Sequence, residues 1–166
     1  MARISAQEAG GKNVLAFLDM IAMSELGSPL LAVTDDGYNV IVGSTASKPI
    51  LFASYATHPA RLIKPPIIPV PSTAAGRYQL LSKYFAPYQK LLALTDFGPV
   101  SQDRIAIQQI RERKALPLIV AGKFAEAVAA CSNIWASLPG NGYGQHQHDI
   151  SYLQSAYVKA GGTLAG

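Results

Sequence analysis

Glu25 is the acidic residue best placed for proton chemistry. It continues the apolar stripe of Val14, Leu18 and Ile21 along one helix face and falls at that helix's C-terminal end. The helix dipole there disfavours a negative charge, and partial burial disfavours it further. Both effects raise the carboxyl pKa, which a general acid needs to hold its proton near neutral pH. On spacing alone, a helix-end Glu that reaches water or pairs with an arginine is the simpler reading. Most of the other carboxylates have ordinary explanations. Asp149 suits a helix N-cap, Asp35 and Asp36 a turn, and Glu112 the solvated Arg-Glu-Arg-Lys run.

Two further clusters carry binding chemistry. In Ser72-Thr73-Ala74-Ala75-Gly76-Arg77-Tyr78-Gln79, small residues let a ligand approach the backbone. Tyr78 offers a flat apolar face there, and Gln79 an amide that both donates and accepts; sugars call for both. A helix-entry loop with Gln79 exposed explains the same residues equally well. In Leu138-Pro139-Gly140-Asn141-Gly142-Tyr143-Gly144-Gln145, three glycines around Tyr143 make a loop able to present the ring, or a plain connector. His146 and His148 follow it. With His58 and the single Cys131 they make a poor metal set, and no metal or other cofactor is expected. Cys131 sits among Ala and Val as a buried, inert thiol, and no P-loop, GxGxxG or GxSxG is present.

The elements that position these groups follow from periodicity and breakers. Val14 to Glu25 reads as a helix, with Asn13 as N-cap and Gly27 and Pro29 as its stop. Residues 38–42 and 50–55 are rich in β formers and read as paired strands behind the Asp35-Asp36-Gly37 turn. Pro65, Pro66, Pro69 and Pro71 make the next stretch an extended loop. Helices follow over 79–94, kinked or split at Pro87, and over 101–113, 123–135 and 149–160. The expected fold is α+β: mostly helical with a small β-sheet. Its 166 residues suit one domain, 1–166, with residues 1–12 as a flexible N-terminal arm.

Composition narrows the function classes. A 49% hydrophobic and 14% charged chain is not disordered, and one cysteine excludes an internal disulfide. The stretch from Val14 to Val33 is too polar to span a bilayer, and no secretory signal is seen. The net charge of +4 favours a polyanionic partner. Nucleic acid is discounted because the basic residues are spread along the chain.

Taken in order, the segments Ala16 to Glu25, Gly37 to Gly43, His58-Pro59, Ala75 to Ser82, Ser101-Gln102-Asp103, Ala115-Leu116-Pro117, Cys131 to Gly140 and Gly142 to Gln145 resemble the lambda-type phage endolysins. The likeness covers roughly residues 14 to 163. It implies a lysozyme-like fold, with the small sheet flanking a substrate cleft. It also implies a peptidoglycan lytic transglycosylase, cleaving the MurNAc-β-1,4-GlcNAc bond to leave 1,6-anhydroMurNAc ends and lysing the host. Glu25 matches the family's catalytic glutamate. Tyr78, Gln79 and Tyr143 are implied to line the glycan cleft, and His148 to touch a sugar.

This chain departs from the family pattern at several places. Asn39 stands where the pattern has an Asp, with Asp35 and Asp36 near enough in sequence to compensate. Tyr84-Phe85 replace two tryptophans, and Pro87 has no counterpart. The resemblance implies peptidoglycan glycan strands as the partner, and a monomer is expected to bind them. The protein is expected to wait in the host cytoplasm until a holin pore opens. Two other readings stay open: a hydrolytic muramidase of the same fold, which Asn39 argues against, and a non-catalytic wall-binding module, which the retention of Glu25 argues against.

Overall fold

The computed structural model describes residues 1–143 and 146–166. Among them the chain forms eight helices: α1 (Ala6–Ala9), α2 (Lys12–Leu26), α3 (Ser28–Ala32), α4 (Ser82–Leu92), α5 (Pro99–Glu112), α6 (Leu116–Val120), α7 (Phe124–Cys131) and α8 (Ile150–Lys159). The chain divides into two compact units, one of Met1–Glu25 with Ala106–Gly166 and one of Leu26–Ile105.

The first unit is built on α2. The sequence points to one buried stripe, but Val14, Ala16, Phe17, Leu18, Met20, Ile21, Ala22 and Ser24 are all buried. A helix apolar on nearly every side belongs inside a core. Phe17 meets Phe124 of α7 and Tyr157 of α8 edge-on, at ring-centroid distances of 6.2 and 6.5 Å. Burying each such ring contributes about 1.5–3 kcal/mol.

Asn13 does not cap α2. Its side chain spans long range instead, donating to the Ile119 carbonyl at 3.2 Å and accepting from the Thr163 peptide at 3.0 Å. Nor is the N-terminus a loose arm. Ser5 caps α1 by accepting from the Glu8 peptide, and Ile4 and Ala9 are buried. The Ala2 peptide donates to Asp19 at 2.6 Å. Asp149 occupies the N-cap position of α8, but its side chain makes no capping bond.

The second unit has an aromatic core of Ala75, Leu80, Phe85, Leu94, Phe97 and Ile105. His58 packs 4.7 Å from Phe97, accepts from the Ala60 peptide at Nδ1 and donates from Nε2 to the Leu80 carbonyl. Burial lowers its pKa, so it is held neutral. The expected strands are shorter than their β formers imply. Among the described residues, antiparallel pairing is confined to isolated bridges such as Val40–Leu51, Ile41–Ala75 and Ala75–Leu80. Gly43 and Gly76, both at positive φ, and Pro49 turn the chain away before a ladder can extend. Helix α4 begins at Ser82, after Gln79 has closed a turn at φ 50°, and it runs unbroken through Pro87.

Candidate active site

Glu25 lies in the last turn of α2, as its stripe requires, and is partly buried. The Ser137 hydroxyl donates to Glu25 Oε1 at 2.5 Å, and the Ser24 hydroxyl donates to Ser137 Oγ at 2.7 Å. Burial raises the Glu25 pKa, while the hydroxyl and peptide N–H of Ser137 pull it partway back. No ion pair to Glu25 is found among the described residues. A carboxyl so held keeps its proton to higher pH than an exposed one, yet has a donor ready when it ionises. That is the behaviour of a general acid that must later act as a base.

His148 belongs to this same neighbourhood. Its peptide N–H donates to the Ser137 carbonyl at 3.0 Å, and its ring Nε2 donates to the Ser24 carbonyl at 3.2 Å. The ring stacks on Tyr152 at 4.7 Å, with His146 edge-on at 4.9 Å. His148 therefore ties the loop carrying Ser137 to the end of α2. Among the described residues no cluster of His, Cys, Asp or Glu could hold a metal.

Tyr143 stands 54% exposed, with its hydroxyl on the Asn133 carbonyl at 3.0 Å and its peptide on Asn141 Oδ1. The ring face is thus held outward while the hydroxyl is anchored. Gly144 and Gln145, the end of the expected Gly-Tyr-Gly loop, lie outside the described residues.

In the second unit, Tyr78 is not the sugar-facing ring that its loop suggests. It is buried, and its hydroxyl donates to Asp103 Oδ1 at 2.6 Å, where Tyr38 also donates at 2.8 Å. Burial, then the Asp103 charge, hold the Tyr78 pKa well above the usual phenol value. Gln102 secures the same loop: its Oε1 accepts from the Arg77 peptide, and its amide donates to the Tyr38 and Phe97 carbonyls. Arg77, itself buried, pairs with Asp36 at 2.8 Å and lies over the Tyr38 ring.

Gln79 is partly exposed and turns its amide back to the Gly76 carbonyl at 2.9 Å. Asn39 accepts from the Asp35 peptide at 3.1 Å, and Asp35 accepts from the Tyr55 hydroxyl at 2.5 Å. Asp35, Asp36 and Asn39 are thus all engaged with other groups of the protein.

Sequence reasoning missed Ser137 and Ser24 as partners of Glu25, and Asp103 as the acceptor that takes Tyr78 inward. Ser137 did lie within a segment that carried the resemblance, but nothing in its spacing tied it to Glu25.

Comparison with known proteins bears on this arrangement. The chain is 46% identical over 158 residues to the endolysin of Escherichia phage P2, covering 93% of this chain and 96% of that one. It is 48% identical over 151 residues to the endolysin of Escherichia phage lambda, covering 90% and 91%. Among solved structures it resembles bacteriophage lambda lysozyme complexed with a chitohexasaccharide, at a TM-score of 0.82 and 46% identity over 99% of each chain. A second structure of lysozyme from bacteriophage lambda gives 0.80 and 45%. The Endolysin family model matches residues 15–164, a span that takes in Glu25, Ser137 and His148 together. With its carboxyl site inside that span and relatives this similar over nearly their whole length, the chain belongs to the endolysin family, of the phage lambda lysozyme type.

Proposed function

We propose that this endolysin is a peptidoglycan lytic transglycosylase with Glu25 as its only acid and base. The observation that carries the reading is the Glu25 carboxyl at the end of α2, its pKa raised by burial and its Oε1 met by the Ser137 hydroxyl. Glu25 gives its proton to the glycosidic oxygen between MurNAc and GlcNAc as the C1–O bond breaks. Positive charge develops on the sugar ring. The muramic C6 hydroxyl then attacks C1, and its proton passes to the Glu25 carboxylate. The acid is regenerated, no water is consumed, and the product carries a 1,6-anhydroMurNAc end. Attack from within the same sugar exploits effective molarity, so no second carboxylate is needed to hold a water. The engagement of Asp35, Asp36 and Asn39 with other protein groups agrees with a one-acid scheme.

The ligand is a peptidoglycan glycan strand, a reading supported by the chitohexasaccharide bound to the lambda enzyme. Tyr143 contacts it through its outward ring face, Gln79 through its amide, and His148 at the edge of its ring. Tyr78 is assigned to the core, where it fixes the turn that carries Gln79. The enzyme acts as a monomer and reaches the wall from the host cytoplasm through a holin pore. No helix among the described residues is long and apolar enough to cross a membrane.

Release of soluble fragments from purified peptidoglycan tests the reading. Glu25→Gln keeps the size of the side chain and removes the titrating proton, so release falls by at least a thousand-fold, roughly 4 kcal/mol of barrier. Unchanged release by that variant would end the proposal.

A further inference from the structure

We infer that Ser137, backed by Ser24, is a positioning residue that holds the Glu25 carboxyl and strengthens its grip as negative charge develops there. This rests on the reading of Glu25 as the acid and base. The geometry is a one-way chain of donors. Ser24 Oγ donates to Ser137 Oγ at 2.7 Å, and Ser137 Oγ donates to Glu25 Oε1 at 2.5 Å. Because Ser24 supplies the first proton of the chain, the Ser137 proton is directed at the carboxyl. Each bond polarises the next, so the pair donates more strongly than one hydroxyl alone.

A hydroxyl bonded to a carboxylate is worth more than one bonded to a neutral acid. The chain therefore tightens as Glu25 releases its proton to the leaving oxygen, which is when stabilisation lowers the barrier. Two contacts keep the chain in register: His148 donates its peptide N–H to the Ser137 carbonyl and its ring N–H to the Ser24 carbonyl. The titratable groups next to this arrangement in its own unit are His148 and, one ring further out, Tyr152 and His146. None of these rings is seen bonded to the carboxyl, so the serines act on it directly.

The side-chain carboxyl of Glu25 is followed by carbon NMR in the full-length protein labelled at Glu, and Glu25→Gln identifies its signal. Ser137→Ala raises the midpoint of the Glu25 titration by about one pH unit, because the hydroxyl is lost while the peptide N–H of residue 137 stays. Ser24→Ala raises it by less, and Ser137→Thr restores the wild-type midpoint. In the lytic assay, Ser137→Ala lowers kcat about tenfold, the equivalent of that one unit, with KM unchanged. The alkaline limb of its pH profile moves up with the NMR midpoint.

An unmoved midpoint in Ser137→Ala would overturn the inference. So would equal shifts in Ser137→Ala and Ser137→Thr, since the hydroxyl would then not be the cause. If Glu25→Gln remained lytic, the reading of Glu25 as the acid would fail, while the titrations would still show whether the serine chain holds the carboxyl.

Discussion

Replacing Tyr78 by phenylalanine separates a structural role from a sugar contact. The Tyr78 hydroxyl donates to Asp103 Oδ1 at 2.6 Å in a buried setting, and Asp103 keeps the Tyr38 hydroxyl at 2.8 Å after the change. Phenylalanine removes the donor to the Asp103 carboxylate. Loss of that hydrogen bond to a charged acceptor costs about 1.5–3 kcal/mol. In a chain of this length each kcal/mol moves the melting midpoint by about 2–4 °C, so about 2 kcal/mol lowers it by about 4–8 °C. Thermal and urea unfolding followed by circular dichroism measure the loss, and KM on purified peptidoglycan measures glycan binding. The expected result is a lower midpoint with KM unchanged. A several-fold rise in KM with the midpoint unmoved would refute the burial argument and return Tyr78 to the glycan surface.

That case shows which parts of the molecule the sequence made readable. Helix α2 and its end were legible because the apolar stripe, Gly27 and Pro29 are local signals. The placing of Glu25 at that end followed directly. Tyr78 was misplaced because its acceptor, Asp103, lies 25 residues further on, and no local pattern announces a long-range hydrogen bond. Ser137, 112 residues from Glu25, escaped for the same reason. Asn13 has the right residue type for a cap, but its amide is used to tie α2 to residues 119 and 163. The β formers at 38–42 and 50–55 were real, yet Gly43 and Pro49 cut the pairing to bridges.

Three further outcomes are expected. Burial raises the Glu25 pKa above its unfolded value, so the group favours folding below about pH 4.5, the ordinary glutamate range, and that contribution is lost as pH rises through the folded pKa. Glu25→Gln should therefore melt higher than the wild type at neutral pH, with the gap closing towards pH 4; an equal or lower midpoint at neutral pH would contradict this. Cys131 is fully buried with its thiol pushed up to about 12, so it should resist a disulfide reagent in the native protein and react at once in guanidinium. Asn13→Ala removes the bonds to Ile119 and Thr163 and should cost about 2 kcal/mol in urea unfolding, with faster amide exchange at residue 163.

The most direct test of Glu25 as sole acid and base is the chemistry of the product ends. Purified peptidoglycan is digested in water enriched in oxygen-18, and the released muropeptides are weighed by mass spectrometry. A single carboxyl that takes up the proton of the attacking muramic hydroxyl predicts anhydroMurNAc ends carrying no heavy oxygen, and none of them from Glu25→Gln. Reducing MurNAc ends bearing oxygen-18 would show that water is the nucleophile and would contradict the one-acid account.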